Sequence, residues 1–140
     1  MAAYHKFGKA SEKQLVTCKE SLQDVVRLAL TLCRIDFSVV EGRRTRAKQK
    51  ENNEATPRVS WTMDSDHLAK DEDDENEQVN AVDVYPWVDG KTSHDSYHYR
   101  LIARAMFEAA ILLEEQIIWG GFWRDKRLDQ PHWALSRDYK

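Results

Sequence analysis

The stretch QVNAVDVYPWVDGK, Gln78–Lys91, stands between a run of acids and a long segment of helical spacing. It shows apolar alternation and closes on a proline and an Asp-Gly turn, so Val79–Tyr85 reads as a β-strand. Asp83 is embedded in that otherwise apolar strand. A carboxylate there is costly to bury unless it is paired or coordinates a metal. The reading of this one strand therefore bears on the fold and on the chemistry together.

Helical patterns flank it. Upstream, FGKASEKQL opens a short helix, with Ser11 as the expected N-cap and Gln14 at the capping-box position. In SLQDVVRLALTLCRI, the spacing of Leu22, Val25, Val26, Ala29, Leu32 and Cys33 predicts an amphipathic helix of about three turns. DFSVVEG follows as a strand ending at Gly42, then RRTRAKQKENNEA as a polar helix broken near Pro57. Val59, Trp61 and Met63 alternate briefly. Downstream, Tyr99, Ile102, Ala103, Met106, Ala110, Leu113 and Ile117 predict one long helix over Asp95–Ile118. WGGFW is a glycine-broken turn, and PHWALS a last short strand. Helices and strands follow one another without a regular βα repeat. This order predicts an α+β fold: a single domain over residues 1–140, with a small antiparallel sheet packed with helices.

At 140 residues the chain can close one core, and 41% hydrophobic residues with five tryptophans argue for a folded globule. The formal net charge of -3 gives no general attraction to nucleic acid or to anionic membranes. Six of the 24 acids lie in DEDDENE, Asp71–Glu77, so the remaining 18 acids face 21 bases and the body is mildly basic. Cys18 and Cys33 are too few and too far apart for a zinc knuckle or a disulfide framework, and read as reduced core residues on apolar helical faces. No stretch approaches the ~20 apolar residues of a membrane span. MAAYHKFGKA lacks the pattern of a secretory signal, so synthesis and folding in a cytoplasm are expected.

Five histidines narrow the chemistry. His5 lies in the N-terminal tail, while His94 and His98 mark a helix start and lack the glutamate of an HExxH motif. His67 in SDHLAK and His132 in DQPHW sit at loop edges. With Asp83 they form the two-histidine, one-carboxylate set of a catalytic zinc site, set at the sheet edge. Asp129, three residues before His132, is placed to act as a base. Arg44, just after the first strand, is a candidate donor to a developing oxyanion.

Four pieces in order carry a family resemblance: FGKASEKQL with its following helix, DFSVVEGRRTRAKQ, the SDHLA and NAVDV pair, and WGGFW with DQPHWAL. Together they span nearly the whole chain. The sequence resembles the D-Ala-D-Ala carboxypeptidase and dipeptidase group of zinc peptidases, and within it the phage L-alanyl-D-glutamate endopeptidases. The resemblance implies a phage lysis enzyme that binds Zn2+ through His67, Asp83 and His132. It implies Asp129 as catalytic base and Arg44 as the residue that binds substrate and stabilises the transition state. Thr45 and Gln49 occupy supporting, substrate-binding positions, and Trp133, with Trp119, Phe122 and Trp123, is a candidate cleft wall, with core packing the alternative for each. The implied partner is bacterial peptidoglycan, met by a monomer without nucleic acid or stable membrane association. The implied route is from host cytoplasm to periplasm after a holin opens the inner membrane.

The sequence departs from the family pattern at one place. His67 and Asp83 are 16 residues apart, farther than in the family, and Asn80 stands where a glycine is usual. The acidic run lies in this interval and reads as a loop insertion at about residues 69–78. Asp71, Asp73, Asp74, Glu75 and Glu77 are candidates for a regulatory Ca2+ loop, although the EF-hand spacing is absent; the alternative is a plainly solvated loop. Rival functions are a D,D-carboxypeptidase or dipeptidase of the same superfamily, and a non-catalytic metal-binding or wall-binding relative.

Overall fold

A computed structural model describes residues 5–55, 62–63 and 65–136. Four helices accompany a five-stranded sheet: α1 (Lys9–Leu15), α2 (Glu20–Leu32), β1 (Asp36–Glu41), α3 (Arg46–Glu54), β2 (Ala81–Val88), β3 (Lys91–Thr92), α4 (Ser96–Leu112), β4 (Ile117–Trp119) and β5 (His132–Leu135). The strand order is β1-β2-β5-β4, all antiparallel, with β3 folded back on β2. This is the expected α+β domain. The alternation of Val59 and Trp61, and Pro57, lie outside the described residues.

Each helix forms for a local reason. Leu22, Val25, Val26, Ala29 and Leu30 fall at i, i+3, i+4, i+7 and i+8 and are all buried, so α2 sets one full face into the core. That face packs against α4, whose Tyr99, Ile102, Ala103, Met106 and Ala110 are buried in turn. Asp95 caps α4 by accepting the Tyr97 N–H at 2.9 Å. Between the helices and the sheet, Trp133 of β5 is fully buried, stacked on Trp119 at 5.5 Å and edge-on to Phe107. Phe37, Val39, Val82 and Val84 complete the same core from β1 and β2.

Three expectations change. The long helix stops at Leu112, not Ile118, and Ile117–Trp119 form the edge strand β4. The stop is a Schellman motif: Glu115 N–H bonds the Ala110 carbonyl, Glu114 N–H bonds Ile111, and Glu114 takes a φ of 57°. Glutamate rather than glycine fills the left-handed position, so the usual stop signal is missing. Secondly, Ser11 is not an N-cap. Gly8 holds that position with no side-chain bond, and Ser11 lies inside α1, where its Oγ accepts the Val39 N–H. Gln14 likewise leaves its capping-box role and accepts the Gly42 N–H through Oε1. Thirdly, β2 runs on through Val88, because Asp89 and Gly90, both at positive φ, turn it into a hairpin with β3.

Cys18 and Cys33 are free and buried, although they sit at the α1–α2 connection and the end of α2 rather than on helical faces. Burial pushes the Cys18 thiol up to about 12 and raises that of Cys33. Both therefore stay protonated at neutral pH, and only thiolates react readily. In native protein at pH 8, a thiol reagent such as dithionitrobenzoate is expected to label neither cysteine within minutes, and both after denaturation in guanidinium. Rapid labelling of the native protein would contradict this packing.

Candidate metal centre

The site forms where β1, β2 and β5 meet the loop that carries His67. Along β2, Val82 and Val84 point into the core, so alternation turns Asp83 to the opposite face. Register then places Asp83 opposite His132, the last pair of the β2–β5 ladder. His67 comes from the loop before β2 and is fixed by backbone contacts: Arg44 N–H donates to its carbonyl at 2.8 Å, and Asn80 N–H to that of Asp66 at 3.2 Å.

These side chains converge. His67 Nε2 lies 3.1 Å from Asp83 Oδ1 and 3.2 Å from His132 Nδ1, and His132 Nδ1 lies 3.4 Å from the same carboxylate oxygen. One ligand atom from each residue falls within 4.8 Å of the others, and this is the one such cluster among the described residues. His67 is essentially inaccessible and His132 is buried, while Asp83 is partly open. His67 Nδ1 sits 2.7 Å from the Gly42 carbonyl. A carbonyl only accepts, so Nδ1 carries the proton and the Nε2 lone pair faces the cluster. This second bond is the usual orienting device of a metal-binding histidine. Two neutral imidazole nitrogens and one carboxylate fit a transition-metal ion such as zinc.

The electrostatics show that the cluster favours a positive charge among its members, supplied by a proton or a cation. Burial opposes ionisation of Asp83, yet the adjoining His67 and His132 hold its carboxyl well below the usual range. Burial likewise opposes protonation of His67, but Asp83 outweighs it and the net shift is upward. In Asp129, burial and the charge of Asp83 raise the carboxyl, against the lowering pull of His132, His67 and Arg44. Asp129 is thus a carboxylate of raised proton affinity beside the cluster. Two bonds hold its loop: Asp129 N–H to the Gly120 carbonyl at 3.0 Å, and Trp119 Nε1–H to the Gln130 carbonyl at 2.8 Å. The glycine-broken WGGFW turn therefore positions Asp129. A Cβ at Gly120 would overlap the Asp129 carbonyl.

Arg44 reaches the cluster from the turn between β1 and α3, its Nη2 lying 3.7 Å from Asp83 Oδ2. Gln49 Oε1 accepts from its Nη1 at 2.7 Å, and Glu41 Oε1 accepts from Nε at 2.9 Å and also from Nη2. Gln49 is fully buried and supports Arg44 rather than offering a surface to substrate, whereas Thr45 is exposed and caps α3 by accepting the Lys48 N–H. Of its two readings Trp133 takes core packing, because it has no exposed surface with which to line a cleft. Trp123, 40% exposed and 5.1 Å from the His132 ring, is the aromatic beside the site. Glu41 escaped the sequence reading. Alternation from Val39 turns it inward, but a register shift at Val40 places it opposite Asp83.

The acidic run takes no comparable form. Glu77 accepts from the Lys70 and Asp71 N–H groups, Asp71 from Asp73, and Asp74 from Asn76. These three carboxylates turn to the loop's own amides, and among the described residues the run does not gather as a cation-binding cluster. Arg43 and Arg46 tie the loop to the start of α3 through the carbonyls of Glu72, Glu77 and Ala69. His94 and His98 bond locally to Tyr99 Oη and Ser93 Oγ.

A domain of this kind, with a two-histidine, one-carboxylate cluster beside a further carboxylate, has the layout of a metal-dependent hydrolase. Residues 3–132 match the model of the phage L-alanyl-D-glutamate peptidase family. The L-alanyl-D-glutamate peptidase of Escherichia phage T5 is 34% identical over 120 residues, covering 84% of this chain and 81% of the relative. The crystal structure of the Serratia marcescens L-Ala D-Glu endopeptidase ChiX superposes with a TM-score of 0.80 at 34% identity, over 95% of this chain and 91% of that one. The chain belongs to the phage L-alanyl-D-glutamate peptidase family.

Substitution of Gly120 tests how the base is held. Gly120→Ala is expected to cost roughly 1–3 kcal/mol of stability, the range for overpacking a filled site. Urea midpoints measure it, and an unchanged midpoint would show that the turn can yield without loss.

Proposed function

We propose that the chain is a zinc-dependent peptidoglycan endopeptidase that hydrolyses the L-alanyl-D-glutamate bond of the stem peptide during phage lysis. The observation that carries this reading is the convergence of His67, Asp83 and His132 beside Asp129 and Arg44, in a chain of this family. His67 Nε2, His132 Nδ1 and an Asp83 oxygen would hold the ion. Bound there, zinc supplies Lewis acidity toward a carbonyl and toward water.

The chain's own groups do the rest. Asp129 accepts the proton of the attacking water and returns it to the leaving amine, as its raised proton affinity suits. Arg44 offers its remaining N–H groups to the oxygen on which negative charge develops. Trp123 stands exposed where the peptide must pass. Among the described residues no helix is long and apolar enough to cross a membrane, and we place the enzyme in the periplasm after holin-dependent release.

Purified protein incubated with peptidoglycan is expected to release fragments newly ending in L-Ala and beginning with D-Glu, identified by mass spectrometry. Asp129→Ala should slow release by ~10²–10⁴-fold while one zinc per chain remains bound. His67→Ala and His132→Ala should lose the zinc itself. Release of terminal D-Ala instead would assign the chain to the carboxypeptidase branch, and no cleavage by zinc-loaded protein would sink the enzymatic reading.

A further inference from the structure

The Arg44 guanidinium raises a question of balance. Its Nη2 forms a long ion pair, 3.7 Å, with Asp83 Oδ2, the one anionic member of the cluster, without closing to hydrogen-bond distance. A free arginine so placed would form a direct pair with that carboxylate and draw charge and geometry away from an ion. Two neighbours restrain it. Glu41 takes both the Nε–H and an Nη2–H, a fork that sets the plane of the guanidinium, and Gln49 Oε1 takes an Nη1–H. These three contacts leave two of the guanidinium's five N–H groups.

Glu41 can do this only because of the bulge. Val39 faces Val84 in the register of β1 with β2, but Glu41 faces Asp83, so one extra residue, Val40, is inserted. The extra residue carries the Glu41 side chain to the face that holds the metal cluster. Bulges commonly re-aim a side chain beside a functional site. The same short segment supplies the Gly42 carbonyl to His67 Nδ1 and the Arg44 N–H to the His67 carbonyl. Glu41 thus acts where strand, ligand and arginine are joined.

We propose that Glu41 is a positioning residue: it orients Arg44 toward the substrate and holds its pair with Asp83 at long range, short of a direct hydrogen bond. The proposal rests on the endopeptidase reading for the role of Arg44, and on the cluster alone for the restraint.

A double-mutant cycle tests it with two readouts. kcat and KM on purified stem peptide, and zinc affinity against a chromophoric chelator, are measured for wild type, Glu41→Ala, Arg44→Ala and the double variant. Glu41→Ala should lower kcat by ~10–100-fold with less change in KM, and weaken zinc by up to about tenfold, the range for an outer-shell partner. The double variant should be no slower than Arg44→Ala and should bind zinc more tightly than Glu41→Ala, because the competing cation is gone. Glu41→Gln, which keeps the shape and one acceptor, should fall between wild type and Glu41→Ala. If Glu41→Ala does not fold by near-UV circular dichroism, the same cycle is run with Glu41→Gln. Independent, multiplying effects, or zinc affinity that does not recover in the double variant, would overturn the proposal. If wild type fails to cut peptide while the zinc pattern holds, the restraint stands and the endopeptidase reading falls.

Discussion

A carboxylate on an apolar strand is the constraint on which the site depends. Asp83 can keep its charge there only because two histidine rings lie within 3.4 Å of one of its oxygens. Each ring comes from a different part of the chain, so the sheet register, the loop before β2 and the start of β5 must all be right before that burial is tolerable. Removing one partner of such a group leaves an uncompensated charge, which costs several kcal/mol. Folding and assembly of the cluster are therefore coupled, and an ion bound only by the folded form would stabilise it further.

The segment from Glu41 to Arg44 passes this constraint to the rest of the molecule. Its Gly42 backbone is pressed onto the end of α1, where Gln14 Oε1 accepts the Gly42 N–H and Thr17 Oγ1 accepts the Arg43 N–H. A side chain at Gly42 would overlap Thr17 and the Gln14 carbonyl. With that contact closed, the Gly42 carbonyl meets His67 and Arg44 is delivered beside Asp83. The short first helix, which has no catalytic group of its own, thereby acts as the rear support of the centre.

Much of this was legible in the sequence, and the exceptions share a cause. α2, β1, β2, the cap of α4 and β5 follow from periodicity and turn chemistry, which are local. His67, Asp83 and His132 could be brought together as candidates because charged or ligating residues at strand and loop edges are chemically conspicuous. What remained hidden depends on tertiary geometry. The end of α4 rests on a left-handed glutamate, the exchange of Trp133 for Trp123 on which face of β5 meets the core, and the placement of Glu41 on a single bulged residue. Ser11 and Gln14 carry the right chemistry for a cap, but packing against β1 and Gly42 claims both side chains.

The long interval between His67 and Asp83 shows why such a site can tolerate added chain. Lengthening a loop costs entropy only logarithmically, so the acidic run by itself is a small burden. The larger risk is that a mobile loop would drag His67 with it. Asn80 N–H to the Asp66 carbonyl closes the base of the loop, and Arg44 N–H to the His67 carbonyl fixes the ligand from the side. Arg43 and Arg46 bind the loop through backbone carbonyls, contacts that do not depend on which acids it carries. His67, which precedes the run, is thus held by backbone contacts of its own, while the run's carboxylates order the loop beyond it.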